Sequence, residues 1–316
     1  MTQMIRVGID VGGTGIQVGV VDENLKILFQ NSFPTDISLP FGVIVRQMTE
    51  SVRSAVSSAG FTLADVTSVG VGIPGIADQA TGDIVKCANM KWFHVPFRSD
   101  FQRLLDLPVF IDNDANVAAL AESVAGVSRG TSSSVFITIG TGIGSGIILN
   151  GKIWSGFHGI GAELGHVIFR HGGVPCSCGN RGCLERYCSA TALIRMGREA
   201  MAENPDTLMM RMTEGNPARL NARIVIDAAR ERDPLAEKVY REYIDYLSQA
   251  IASVVNLLDP EVVVLGGGVS KAGAFLLDPI LEEYPKHVVF NDQPMPSVKL
   301  AVLGPEAGII GAAMLS

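Results

Sequence analysis

Apolar and polar positions alternate in short runs at the start of this chain of 316 residues. Ile5–Ile9 is apolar apart from Arg6 and leads into Asp10, and Gln17–Val21 follows a glycine-rich turn. Two apolar runs joined by glycines predict a strand hairpin with few side chains at its tip. Val66–Ile73 and Val109–Ile111 are apolar runs of the same kind and predict further strands.

Longer segments carry apolar residues at every third or fourth position instead. This spacing predicts a helix over Phe41–Ala59, and a second helix over Asn116–Ala125. Asp233-Pro234 combines an N-cap residue with a proline in the first turn, which predicts the start of a long helix. That helix ends before Asp259-Pro260.

The middle of the chain repeats the hairpin pattern. Ser134–Ile139 predicts a strand, Gly140–Gly144 a turn, and Gly146–Leu149 a returning strand. A buried strand, Val262–Leu265, then leads into Gly266–Gly268. Strands and helices alternate in both halves, so the pattern predicts an α/β protein with a duplicated architecture.

Composition and charge narrow the class of protein. With 47% hydrophobic and 18% charged residues the chain is globular, and its length suits two domains. A net charge of −7 argues against a nucleic-acid partner. The start of the chain has no signal-peptide pattern, and no apolar run reaches the roughly 18 residues that a membrane span needs. These features predict a soluble, cytoplasmic protein with no membrane partner.

Three glycine-rich tips are candidates for binding phosphate. Glycine lets main-chain N–H groups approach phosphate oxygens, an aspartate at a strand end can hold Mg²⁺, and threonine offers a hydroxyl donor. An ordinary glycine hairpin is the alternative for each tip taken alone. The candidates are Asp10, Gly12, Gly13 and Thr14 at the first tip, Thr138, Gly140, Thr141 and Gly142 at the second, and Gly266, Gly267 and Gly268 at the third.

Two aspartates, Asp112 and Asp114, follow the strand at Val109–Ile111. Phosphoryl transfer to an alcohol needs one carboxylate within hydrogen-bond reach of the attacking hydroxyl. Either aspartate could supply it, and either could instead cap the helix that is predicted to begin near Asn116.

A metal site is predicted by one histidine and three closely spaced cysteines. His166, Cys176, Cys178 and Cys183 give a Cys₃His set that suits tetrahedral Zn²⁺, and four protein ligands leave no open position, so the zinc would be structural. Glu163 and Glu185 flank this segment and could accept hydrogen bonds from sugar hydroxyls. Asn89 could add an amide contact, with Trp92 as an apolar wall or as a core residue.

Together these residues make the chain resemble the ROK family of sugar kinases and repressors, within the actin and hexokinase superfamily. The stretch Gly161–Glu185 is the most specific part, and the resemblance extends from Asp10 to Ala313. It implies two ribonuclease-H-like (actin-like ATPase) α/β domains with an interdomain cleft. The small N-terminal domain would comprise residues 1–115 plus about 300–316, and the large domain, with the zinc loop, 116–299. The boundary near Ala115 would be a hinge.

The resemblance also implies a role for each matching position. Asp114 would be the catalytic base, and Gly75 and Asn89 would lie on the sugar side. The other sugar contacts would be Asn113, Glu163, His166 and Glu185. The first two glycine tips would bind phosphate and Mg²⁺, Gly266–Gly268 would contact the adenosine, and the Cys₃His set would bind zinc. Two positions depart from the family pattern: Gly15 stands where lysine is usual, and the segment Asn89–Trp92 is one residue shorter than the common glucokinase form.

The function that follows is an ATP-dependent hexose kinase, with glucose first among the sugars and the 6-hydroxyl as acceptor. Kinases for an N-acetylhexosamine, allose or fructose are alternatives. A sugar-sensing repressor of the same family is a further one, although the first strand begins at Ile5 and leaves no room for a preceding helix-turn-helix. The resemblance also suggests a homodimer or homotetramer.

Overall fold

The computed structural model describes residues 4–316, which form two compact units. The first unit extends to Ser132 and also contains Gly146–Ala162 and Val302–Ser316. The second consists of Ser133–Ser145 and Glu163–Ala301. The first unit therefore continues past the predicted boundary at Ala115 and includes the helix that follows it. A hinge at Ala115 stays a prediction.

The described strands in chain order are β1 Ile5–Val11, β2 Gly15–Val21, β3 Ile27–Pro34, β4 Val66–Ile73, β5 Ile76–Ala77, β6 Ile84–Cys87, β7 Trp92–Val95, β8 Val109–Asn113, β9 Ser133–Ile139, β10 Ile143–Leu149, β11 Lys152–Trp154, β12 Val262–Gly266 and β13 Ser297–Leu300. The α-helices are α1 Phe41–Ser58, α2 Phe97–Leu105, α3 Asp114–Val124, α4 Glu185–Cys188, α5 Ala190–Glu203, α6 Leu208–Met212, α7 Ala222–Arg230, α8 Pro234–Leu258, α9 Ala274–Glu283 and α10 Glu306–Ala313.

The main sheet of the first unit has the strand order β3-β2-β1-β4-β8. β1 and β2 form an antiparallel hairpin, whereas β4 runs parallel to both β1 and β8. Asp10 of β1 is paired with Gly72 of β4, and Ile73 of β4 with Asn113 of β8. The carboxyl ends of the three parallel strands therefore meet at one edge of the sheet, which is where ligands bind in open α/β sheets.

Several helices pack on this sheet, among them α1 and α10. The buried stripe of α1, which includes Met48 and Val52, packs on β2 and β3. On β1 and β4 lies α10, at a distance that only glycine permits. A Cβ atom at Gly8 would lie 1.9 Å from the main-chain oxygen of Ile309, and one at Gly70 would lie 1.7 Å from that of Ala312.

A small sheet of order β5-β6-β7 also belongs to the first unit. Trp92 on β7 is 4% exposed and meets the ring of Phe41 edge to face at 5.2 Å. Trp92 is thus a core residue, which settles one of the two roles that the sequence allowed. Cys87 and Cys188 are also fully buried.

The second five-stranded sheet has the order β11-β10-β9-β12-β13. Its central strand β12 is parallel to β9 and β13 and is buried along its whole length. Within the second unit, α8 packs against α5, α7 and α9. Asp233 caps α8 by accepting a hydrogen bond from the main-chain N–H of Ala236 at 2.8 Å, as its position before Pro234 predicts.

Most of the predicted elements are present. β4 has the predicted bounds, and α1 and β9 differ from theirs by one residue. α3 begins at Asp114, two residues before the predicted Asn116, and β10 begins three residues before the predicted Gly146. No helix among the described residues has the length and apolar character that a membrane crossing needs.

Candidate functional site

The first glycine tip connects β1 to β2. It is closed by a hydrogen bond of 2.9 Å from the N–H of Gly12 to the carbonyl of Gly15, and Thr35 Oγ1 donates to the Gly12 carbonyl at 2.8 Å. Gly13 and Thr14 are exposed, and a Cβ atom at Gly13 would meet no atom within 4 Å. The predicted phosphate elements are thus accessible, with open space beside them.

Asp10 lies at the base of this tip and beside the start of α10. A Cβ atom at Gly308 would lie 2.5 Å from Asp10 Oδ2, so a larger residue at position 308 would displace the carboxylate. Burial raises the pKa of Asp10, because removal from water disfavours the charged form. A bound cation would stabilise the ionised form, so the donor chemistry fits the predicted Mg²⁺.

The structure distinguishes the two candidate aspartates. Asp112 is 5% exposed, and its carboxylate accepts three hydrogen bonds. The donors are the main-chain N–H of Asn113 at 2.7 Å and Asn116 Nδ2 at 2.8 Å, both to Oδ1, and Gln79 Nε2 at 2.7 Å to Oδ2. Burial raises the pKa of Asp112, and these hydrogen bonds oppose the rise. Both oxygens of the Asp112 carboxylate therefore accept hydrogen bonds from donors within the protein.

Asp114 is exposed at the first position of α3. Its Oδ1 accepts from the main-chain N–H of Ala115 at 2.9 Å. The N-cap of α3 is Asn113, whose Oδ1 accepts from the N–H groups of Ala115 and Asn116 at 2.8 and 3.4 Å. The alternative that one of the two aspartates caps the helix is therefore wrong, because the helix begins at Asp114 and its N-cap is Asn113.

The two weaker sugar-side positions lie near the small sheet. Gly75 precedes β5, and a Cβ atom there would lie 2.3 Å from the carbonyl oxygen of Lys86. Asn113 Nδ2 donates to the Gly75 carbonyl at 3.1 Å. Asn89 is exposed on a single 3₁₀ turn, Ala88–Met90. The hydrogen bond from Asn113 thus places Gly75 next to that side chain, which is a predicted sugar contact as well.

In the second unit, two further glycine tips lie at neighbouring strand ends. Thr138 of β9 is paired with Gly266 of β12, which places the predicted phosphate and adenosine elements side by side. The N–H of Gly140 donates to the Gly142 carbonyl at 3.0 Å, closing the β9–β10 turn, and Thr141 is exposed. Gly267 has φ +84° and approaches the Ile139 backbone closely, so a side chain is excluded there.

Glu185 joins the second tip to the cysteine loop. A Cβ atom at Gly142 would lie 2.7 Å from Glu185 Oε2, while Glu185 Oε1 accepts from Cys176 Sγ at 3.1 Å. Glu163 is exposed, and its carbonyl accepts from the main-chain N–H of His166 at 3.0 Å. Both glutamates therefore lie next to the predicted zinc ligands in the chain or in space.

The four predicted zinc ligands come together. One ligand atom each from His166, Cys176, Cys178 and Cys183 lies within 4.8 Å of the other three. Cys178 Sγ and Cys183 Sγ are 3.6 Å apart, and Cys176 Sγ is 3.8 Å from His166 Nδ1. Such sulfur and nitrogen separations match the edges of a tetrahedron with zinc–sulfur bonds of about 2.3 Å, so the donor set fits Zn²⁺.

The chain is similar to known proteins over its whole length. The model of the ROK family matches residues 6–316. A glucokinase of Halalkalibacterium halodurans is 35% identical over 316 residues, which cover 100% of this chain and 96% of the relative. A glucokinase of Thermotoga maritima is 34% identical over 100% of this chain and 98% of the relative.

Solved structures are similar over the same length. A ROK family glucokinase from Streptomyces griseus, crystallised in complex with glucose and AMPPNP, has a TM-score of 0.82 and 34% identity, with 99% of each chain covered. A ROK hexokinase from Thermus thermophilus has a TM-score of 0.84 and 33% identity, covering 99% of this chain and 98% of that one.

Fold and site residues together define an α/β protein of the actin-like ATPase fold, and the predicted fold class is confirmed. The chain belongs to the ROK family. The resemblance drawn from the sequence is thereby confirmed as well.

Proposed function

We propose that the chain is an ATP-dependent glucokinase that transfers the γ-phosphoryl group of ATP to the 6-hydroxyl of glucose. The observation that carries the proposal is the contrast between two neighbouring carboxylates. Asp114 is exposed at the first turn of α3, whereas Asp112 is buried with three internal hydrogen bonds. Full-length similarity to proteins named glucokinase, and to one crystallised with glucose and AMPPNP, supports the substrate pair.

In this proposal Asp114 accepts the proton of the attacking hydroxyl. An exposed carboxylate at the end of a parallel strand can reach a bound alcohol, and proton removal as the bond forms lowers the barrier. Asn113 would orient the sugar, with Gly75 and Asn89 on the same side. Glu163 and Glu185 would bind further hydroxyls, because carboxylate oxygens accept from two donors at once. His166 would contact the sugar through the ring nitrogen that does not bind zinc.

Asp10, Gly12, Gly13, Thr14, Thr138, Gly140, Thr141 and Gly142 would hold the phosphates, and Gly266, Gly267 and Gly268 would border the adenosine. Gly15 occupies the place of the usual lysine, so binding at the first tip would depend on main-chain N–H groups and the Thr14 hydroxyl. Mg²⁺ held near Asp10 would supply charge neutralisation of the phosphates.

Zn²⁺ bound by His166, Cys176, Cys178 and Cys183 would be structural, because four protein ligands leave no position for substrate. A cysteine that binds zinc is a thiolate and has no proton to donate. Zinc would thus remove the hydrogen bond from Cys176 to Glu185 Oε1 and leave that oxygen for a sugar hydroxyl.

We also propose a cytoplasmic homodimer or homotetramer.

Release of ADP in a coupled assay, across glucose, fructose, allose, N-acetylglucosamine and N-acetylgalactosamine, tests the proposal. The expected result is the highest kcat/KM with glucose. An N-acetylgalactosamine kinase of a Shewanella species is 31% identical over 98% of this chain, so preference for an acetylated sugar is the outcome that would replace glucose as substrate. No turnover with any sugar would contradict kinase activity.

A further inference from the structure

A buried hydrogen-bond network lies directly behind the proposed base. Its centre is the Asp112 carboxylate, which is 5% exposed and accepts from Asn113, Asn116 and Gln79 at 2.7 to 2.8 Å. Burial of a carboxylate costs free energy unless its oxygens are hydrogen-bonded, and hydrogen bonds to an ionised acceptor are the stronger kind. Asp112 therefore holds its three donors more firmly than a neutral side chain would.

Two of the three donors lie on either side of Asp114. The main-chain N–H of Asn113 precedes it, and Asn116 follows on the first turn of α3. Asp112 thus fixes the backbone before the proposed base and a side chain one half-turn after it. The orientation of the Asp114 carboxylate depends on this turn, because its own Oδ1 contacts the N–H of Ala115.

The third donor comes from a distant part of the chain. Gln79 lies in the turn between β5 and β6, 33 positions before Asp112. Its backbone is fixed in turn by Arg98, whose Nη2 donates to the Gln79 carbonyl and Nη1 to the Ala80 carbonyl, both at 2.9 Å. The side chain of Gln79 is therefore presented to Asp112 by a turn that is itself held in place.

A second link runs in parallel to the first. Asn113 Nδ2 donates to the carbonyl of Gly75, just before β5. Asp112 and Asn113 thus connect the start of α3 to both ends of the short segment from Gly75 to Gln79. That segment contains a proposed sugar-side position, and α3 carries the proposed base.

We propose that Asp112 and Gln79 are positioning residues that hold Asp114 in register with the sugar-side segment Gly75–Gln79. The inference rests on the proposed kinase function. Neither residue contacts substrate in this account; they act through the first turn of α3. Misplacement of a base by about 1 Å can cost as much as 100-fold in rate, so a link of this kind affects kcat more than nucleotide binding.

An exchange of donor and acceptor tests the link. Gln79→Glu places a second carboxylate 2.7 Å from that of Asp112. All rates are measured at a pH high enough to ionise both carboxylates, because at lower pH the pair would share one proton and keep a hydrogen bond, whereas two like charges at that distance repel each other. In the double variant Gln79→Glu with Asp112→Asn, the introduced amide can still accept from Asn113 and Asn116 while it donates to the introduced carboxylate. The double variant therefore restores every bond of the network with one bond reversed.

With glucose and ATP we expect kcat of Gln79→Glu to fall about 10-fold, equivalent to one hydrogen bond to a charged group. The double variant should recover to within about 3-fold of wild type. KM for ATP should stay constant throughout. Gln30→Glu is the matched control, since it adds the same charge at an exposed glutamine on β3 of the same unit and should leave kcat unchanged. Thermal melting of each variant shows that the fold is retained.

Equal kcat in wild type and Gln79→Glu would overturn the inference, as would a folded double variant that stays as slow as the single one. Either result leaves the proposed function intact if the wild type phosphorylates glucose. A wild type that phosphorylates no hexose would overturn the proposed function, and this inference with it.

Discussion

Asn113 Nδ2 donates a hydrogen bond of 3.1 Å to the main-chain carbonyl of Gly75, while Oδ1 of the same side chain caps α3. One amide thus ties together the start of the helix that carries Asp114 and the segment before β5. The two functions of this side chain can be separated, because the cap needs an acceptor and the link to Gly75 needs a donor of sufficient length.

Asn113→Ser should separate them. Asn113→Ser and Asn113→Ala both lose the bond to Gly75, but serine is a good N-cap, so the free energy of unfolding of Asn113→Ala should be about 1 kcal/mol lower than that of Asn113→Ser. Both variants also lose the proposed sugar contact, and both should raise KM for glucose. Denaturant unfolding and steady-state kinetics measure the two effects. An unchanged KM in the serine variant would argue against a sugar contact.

The approach of α10 to the main sheet predicts a strong effect at Gly70. Gly70→Ala would place a methyl group 1.7 Å from the Ala312 carbonyl oxygen and must displace α10. We expect a loss of about 1–3 kcal/mol in the free energy of unfolding. Gly42→Ala is the control, because a Cβ atom at Gly42 in α1 would contact no other part of the fold within 4 Å, so the substitution should be neutral or slightly stabilising. Equal unfolding midpoints for the two variants would contradict the packing of α10.

Zinc content should follow the Cys₃His cluster. Metal analysis of the purified protein should find about one zinc per chain, in line with a single four-ligand site. Cys178→Ser should lose the metal and lower Tm, because metal binding contributes to folding free energy. Ser177→Ala changes the residue between two ligands and should keep both zinc and Tm. A fully folded, active protein without zinc would refute a structural role for the metal.

The raised pKa of Asp10 predicts that the acid limb of the pH–rate profile depends on the Mg²⁺ concentration. Burial raises this pKa, so protons compete with Mg²⁺ for the carboxylate at a higher pH than for an exposed aspartate. As pH falls through the raised pKa, kcat/KM for ATP should fall, and higher free Mg²⁺ should move the limb to lower pH. Rate profiles at two Mg²⁺ concentrations measure the shift, and Asp10→Asn should abolish it. An acid limb that stays at the same pH at both Mg²⁺ concentrations would argue against Asp10 as a magnesium ligand.

The features predictable from the sequence are those with a local cause. The hairpin tips follow from glycines between apolar runs, α8 follows from Asp233-Pro234 and a long apolar stripe, and the cysteine cluster follows from spacing within 18 residues. Each depends on neighbours in the chain, so a single sequence contains the information.

Other features depend on tertiary contacts. β5 has two residues and β6 and β7 four each, too few for a period to be recognised. Asn113 and not one of its neighbours is the N-cap of α3 because β8 ends there. The hydrogen bonding of the buried Asp112 carboxylate depends on Gln79, which is 33 positions away in the chain. For that reason the local chemistry of the sequence left Asp112 and Asp114 equivalent as candidates for the base, and only the resemblance to the ROK family favoured Asp114.

The most direct test of the account is the turnover of Asp114→Asn with glucose and ATP, measured as ADP release beside the equilibrium binding of glucose. Removal of a general base costs roughly 10²–10⁴-fold in kcat, and the variant should still bind glucose because Asn113 and the glutamates are unchanged. We expect this large loss of kcat with glucose binding retained. An Asp114→Asn protein with near wild-type kcat would contradict it.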